Sequence, residues 1–140
     1  MTHPAKTWAI AYGASMVVFL AVDSIWLSTM AARLYRPLIG DLLAAEFRLA
    51  PAVLFYLIYC AALTFFAVMP GLDRGKIAAS LGRGAFFGFA AYGTYDLTNQ
   101  ATLVTWPTIL TVADLIWGSV LSASTAAGAY VITRRFATAK

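Results

Sequence analysis

The sequence predicts an all-α polytopic membrane protein, a four-transmembrane-helix bundle, and three observations predict it. Hydrophobic residues make up 61% of the 140-residue chain and charged residues only 11%, against roughly 25% charged in an average soluble domain. Four stretches are apolar for about the 20 residues that crossing about 30 Å of hydrocarbon requires. Prolines and most of the basic residues sit at or near the ends of those stretches. A soluble domain this small exposes much of its surface and has too few polar residues here to cover it. In lipid the outer surface is apolar by necessity, and each span must be a helix because its backbone groups find no water.

The elements follow in order. The first span covers about 7–30, preceded by Lys6. It is longer than a signal-peptide core and no small-x-small cleavage pattern follows, so it reads as a retained span. The second covers about 51–69, with Pro51 in its first turn, where a missing N–H costs little. Pro70-Gly71 is expected to stop it. The third covers about 76–97 and the fourth about 107–133, with Pro107 opening the latter. Residues 33–50 differ in character. Leu38, Ile39, Leu42, Leu43 and Phe47 recur at helical spacing with Asp41, Glu46 and Arg48 between them, which predicts a short amphipathic interfacial helix. A structured loop is the alternative. The whole chain, 1–140, reads as a single transmembrane domain.

Basic residues set the expected orientation. Lys6, Arg74, Lys76, Arg83, Arg134, Arg135 and Lys140 fall on the side of both termini, and Arg33, Arg36 and Arg48 on the other. Seven against three places both termini in the cytoplasm. The net charge of +4 is thus explained by topology and anionic lipid, and no nucleic-acid partner is implied. Cys60 is the sole cysteine and His3 the sole histidine. An internal disulfide, a CxxC motif and a histidine-built haem or zinc site are excluded, so no cofactor or metal site is expected. Cys60 lies in an apolar run and is expected to be inert packing.

Small residues predict close helix packing. Gly84 and Gly88 form a small-xxx-small pair with Gly93 beyond them, and Ser124 with Gly128 repeats the spacing. Such pairs let backbones approach where lipid gives no hydrophobic drive. They fit packing within the bundle as well as a homodimer.

Three of the six acidic residues, Asp23, Asp96 and Asp114, fall inside expected spans. Carboxylates in hydrocarbon are costly and usually face the bundle interior or water. Asp23 lies about 7 residues before the outer end of its span and Asp114 about 7 after the start of its own, so both sit roughly 10 Å deep. Asp96 lies within a turn of the outer end of the third span. All three share the outer half. Moreover, Asp23-Ser24-Ile25-Trp26-Leu27-Ser28 matches Asp114-Leu115-Ile116-Trp117-Gly118-Ser119 as D-x-I-W-x-S. The copies occupy antiparallel helices, as an inverted repeat places them, and each puts Asp and Trp on one helix face. Around Asp96 the polar run from Tyr92 through Thr102 suits a wet outer pocket. The candidate binding residues are Asp23, Trp26, Tyr92, Tyr95, Asp96, Thr98, Asn99, Asp114 and Trp117. Trp8 and Trp106 read as interfacial belt residues. Arg33, Arg36 and Arg48 are candidate ion-pair partners, since their long stems can reach inward.

The string Tyr95-Asp96-Leu97-Thr98-Asn99, then Ala101-Thr102-Leu103, Trp106-Pro107, and Asp114 with Ile116-Trp117-Gly118, resembles the DUF2177 family of small bacterial membrane proteins. Asp23 with Trp26, and Tyr35-Arg36, also resemble it, so the similarity spans essentially the whole chain. It implies the four-helix architecture and a bacterial cytoplasmic (inner) membrane. It carries no activity, because the family's function is unknown.

Three functional classes remain open. The acids and indoles suit a small molecule, a cation or amine, or a lipid, in a transporter-like unit that with four helices would need a homodimer. Asp with Tyr or Arg suits acid–base work on lipid, although no Ser-His-Asp set and no phosphate loop is present, Gly82-Arg83-Gly84 included. A scaffold for a membrane complex, its acids only tethering helices, is the third. The expected partners are membrane lipids, a ligand, and a second copy or a complex partner.

Overall fold

A computed structural model describes residues 3–137, and Lys140 therefore lies outside the described residues. The fold is a helical membrane bundle, with no strand among the described residues. Four helices run back and forth: α1 over Ala5–Leu42, α2 over Leu49–Arg74, α3 over Ile77–Thr102 and α4 over Thr108–Ala137. By length and composition α1, α2 and α4 are each apolar enough to cross a membrane. Helix α3 matches them in length, 26 residues, about 39 Å at 1.5 Å per residue. It is more polar because its inward face is built of small and polar side chains.

The third and fourth helices run on a turn or more past their expected ends near 97 and 133, to Thr102 and Ala137, and the ends of the first two move further, for one physical reason. Helix α1 does not end near Met30. It continues through a π turn at Ala31–Tyr35 into Arg36–Ile39 and a 3₁₀ turn at Gly40–Leu42. The separate interfacial helix over 33–50 is thus replaced by the tail of α1 and an irregular link at 43–48. Likewise Pro70-Gly71 does not stop α2. A π turn at Thr64–Val68 precedes Pro70, and the helix runs on to Arg74. A proline inside a helix lacks a donor and crowds the carbonyl four residues back. One wide turn just upstream re-spaces that carbonyl, and both π turns precede a proline, Pro37 and Pro70. The true stop is Gly75, at φ 63°. There Lys76 N–H donates to the Gly71 carbonyl and Gly75 N–H to that of Leu72, the paired bonds of a left-handed helix cap.

The α3–α4 interface is the tightest. Ser80, Gly84, Gly88 and Asp96 are buried on α3, in step with Asp114, Gly118, Ser122 and Ala126 on α4. All recur at multiples of four, so each set forms one ridge. A Cβ on Gly84 would strike the Ser122 carbonyl, and one on Gly88 the Gly118 carbonyl. The expected Gly84/Gly88 approach is therefore made within the bundle. Its counterpart is the run Gly118, Ser122 and Ala126. Ser124 is exposed, and Gly128 packs instead against Val18 of α1.

Helix α2 completes the bundle by polar ties as well as packing. Thr64 donates to Ser15 at 2.9 Å, and the Tyr59 and Ser122 hydroxyls lie 2.7 Å apart. The core gathers Phe19, Leu63, Val68, Leu121 and Ala126, with Cys60 fully buried and free among them. Outward, Leu54, Ile58, Phe86 and Ile116 are exposed, as lipid-facing positions should be.

Candidate functional site

The antiparallel register of α3 and α4 builds the site. Gly84 abuts Ser122, Gly88 abuts Gly118, and Gly118 abuts Tyr92. Carried one turn further outward, the same register brings Asp96 against Asp114, whose carboxyl groups interact electrostatically. Both are buried, Asp96 completely. Small residues at 84, 88 and 118 are what allow the two carboxyls to meet.

The three acids differ in how they are satisfied. Tyr56 of α2 donates its phenol proton to Asp23 Oδ2 at 2.8 Å. Tyr35, in the π turn of α1, donates to Asp114 Oδ1 at 2.6 Å and accepts from Trp26 Nε1 at 3.1 Å. Among the described residues neither oxygen of Asp96 has a well-formed hydrogen bond, although Asp114 and the Trp106 indole lie close enough to interact with the carboxyl. A buried polar group without a partner costs on the order of 1–3 kcal/mol, and more when charged. Asp96 is therefore the least well satisfied of the three acids.

The two D-x-I-W-x-S copies do come together. Trp26 and Trp117 stack in parallel, with ring centroids 4.2 Å apart and planes 7° from coplanar. Trp117 also neighbours Asp23, while Trp26 reaches Asp114 through Tyr35. Each copy thus contributes one acid that accepts a phenol and one indole stacked on the other's. Because each indole covers a face of its partner, only the outer faces remain for a cation.

The other candidates separate. Tyr92 lies against Gly118 and packs edge-on to Tyr59. Tyr95 is 58% exposed and stands edge-on to Trp106. Thr98 is exposed and spends its hydroxyl on its own helix, on the carbonyls of Thr94 and Tyr95. Asn99 is half-buried, and its backbone carbonyl closes α3 by accepting from Leu103 N–H at 2.8 Å. Arg33, Arg36 and Arg48 are all exposed, and among the described residues none forms an ion pair with Asp23, Asp96 or Asp114. The segment does reach inward, but it sends the Tyr35 phenol.

Tyr35 and Tyr56 are the residues that the residue pattern did not single out. Tyrosine near a membrane interface reads as a belt residue, and only the partner across the bundle shows otherwise. A polar clasp was missed too. Gln100 donates to Thr108 at 2.9 Å and accepts from Thr111 at 2.8 Å, and Trp106 Nε1 donates to Thr111 at 3.1 Å. This holds the α3–α4 link over the acids. Among the described residues no three His, Cys, Asp or Glu side chains gather as a metal-binding group.

No curated protein and no solved structure matches the chain. A family model described as a predicted membrane protein matches residues 8–131, a stretch that holds Asp23, Tyr35, Tyr56, Asp96 and Asp114. The chain accordingly belongs to the DUF2177 family of predicted membrane proteins.

Proposed function

We propose that Asp96 and Asp114 form a binding site for a small cation, a protonated amine being the best match, in the outer half of the bundle. The observation that carries this is the Asp96 carboxyl, fully buried against Asp114 and, among the described residues, without a well-formed hydrogen bond on either oxygen. Two carboxyls in contact repel when both are charged, and a shared cation relieves that repulsion. Trp26, joined to Asp114 through Tyr35, brings an indole face to that side of the site, where it can add cation–π attraction. Four helices are few for alternating access, so transport would require a second copy. The excess of basic residues beside the termini supports cytoplasmic ends, and the family resemblance supports a bacterial inner membrane.

A structural role suits Asp23 better. Its bond from Tyr56 ties α2 to α1, and Tyr35 does the same for Asp114 between α1 and α4. Catalysis on lipid has less support, because the Asp–Tyr pairs formed by Tyr35 and Tyr56 tie one helix to another, and both acids are buried.

The test is native mass spectrometry of the protein in lipid nanodiscs, alone and with added alkylamines. Wild type and Asp23→Asn should hold a defined extra mass that Asp96→Asn loses. Equal spectra for wild type and Asp96→Asn would leave tethering as the account of all three acids.

A further inference from the structure

Beyond the acids, the end of α1 and the irregular link at 43–48 border a half-open cavity of about 870 Å³, within the roughly 300–1,000 Å³ span of small-molecule sites. Its walls are largely apolar, with Leu27, Leu43 and Phe47, and its charges are Arg36, Arg48 and Glu46. Phe47 is 81% exposed, an aromatic ring that nothing in the protein covers. Among the described residues neither Arg36 nor Arg48 has an ion-pair partner, Glu46 included. Two guanidinium groups against one carboxylate leave the cavity one positive charge in excess.

Its position follows from length. Helix α1 has 38 residues, about 57 Å at 1.5 Å per residue, against about 30 Å of hydrocarbon. Its last turns, which carry Arg33, Arg36 and Asp41, therefore lie at the headgroup layer.

We propose that this cavity holds an anionic phospholipid, its phosphodiester on Arg36 and Arg48 and its acyl chains leaving along Leu27 into the bilayer. Guanidinium forks match phosphate oxygens in pairs. The single excess positive charge matches the single negative charge of a phosphodiester. Glu46 accepts from a headgroup hydroxyl, which favours a polyol headgroup. Apolar walls and a place at the headgroup layer select a lipid over free phosphate. The site is independent of the Asp96 carboxyl, although Tyr35 borders the cavity and bonds Asp114.

The experiment uses nanodiscs of phosphatidylcholine with a minor fraction of phosphatidylglycerol, and native mass spectrometry of the ejected protein. Wild type should retain phosphatidylglycerol in preference. Arg36→Gln with Arg48→Gln should lower that retention by roughly tenfold or more, two charge-assisted contacts being lost. Arg33→Gln, outside the cavity, should leave it unchanged, and so should Asp96→Asn. Size-exclusion profiles identify folded variants, and Phe47→Ser offers a second weakening change that leaves both arginines in place. Equal retention in the double variant would overturn the proposal. So would an equal loss in Arg33→Gln, which would mark a diffuse basic surface. Displacement of the lipid by millimolar inorganic phosphate would overturn it in favour of a soluble anion.

Discussion

Replacing Gly88 by alanine tests the interface that brings Asp96 to Asp114. The added Cβ would overlap the Gly118 carbonyl and meet the Ser122 hydroxyl. The serine can rotate, but the carbonyl is helix backbone and cannot turn away. The helices must therefore separate by an ångström or more, loosening contacts along both ridges. Overpacking of this kind costs about 1–3 kcal/mol, partly offset by up to about 1 kcal/mol because alanine favours helix over glycine. Gly93 supplies the control on the same helix, since a Cβ there meets nothing within 4 Å. Gly93→Ala should be neutral or stabilising by up to about 1 kcal/mol. The helix-propensity gain is common to both variants and cancels, so they should differ by about 1–3 kcal/mol, roughly five- to a hundredfold in the folding constant. Reversible unfolding by SDS titration in mixed micelles, followed by tryptophan fluorescence, measures the difference. Equal stability of Gly88→Ala and Gly93→Ala would refute the close α3–α4 approach, and with it the register that pairs the two acids.

Further expectations concern the side chains around the acids. Tyr56→Phe removes the 2.8 Å bond to Asp23 and should destabilise by about 1 kcal/mol, between the roughly 0.6 kcal/mol average of polar contacts in membrane bundles and the roughly 1.5–3 kcal/mol of bonds to charged groups. A double-mutant cycle with Asp23→Asn should show coupling of that order, and additive effects would deny the contact. The 4.2 Å parallel stack of Trp26 on Trp117 should give an exciton couplet in far-ultraviolet circular dichroism. Trp26→Phe should abolish it, and an unaltered spectrum would place the indoles apart. Cys60, fully buried in the core, should resist a membrane-permeant maleimide in the folded protein and react once SDS unfolds the bundle. Prompt labelling in the native state would contradict its burial.

The sequence by itself determined the class of fold and that Asp23, Asp96 and Asp114 lie within its apolar helices. Apolar length dictates helices in lipid, because backbone groups there bond within their own segment or not at all. Residue count sets position along a helix, because every helical residue advances about 1.5 Å. Thus the Asp/Trp repeats were placed on antiparallel helices from spacing alone, and the structure stacks their indoles on one another. The helix ends were less legible. Pro70 reads locally as a stop, yet a single wide turn at Thr64–Val68 admits it, and Gly75 does the stopping. What only the tertiary structure decided is who meets whom across the bundle. Arginine carries the charge that an acid wants, and so Arg33, Arg36 and Arg48 were the natural partners. Tyrosines in α1 and α2 took that role instead, because a phenol can donate from inside the bundle without bringing a second charge out of water. Which acid would remain without a phenol was not in the composition either. It follows from the register of two small-residue ridges, in which Gly88 against Gly118 carries Asp96 up to Asp114 and out of reach of any phenol like those that serve the other two acids.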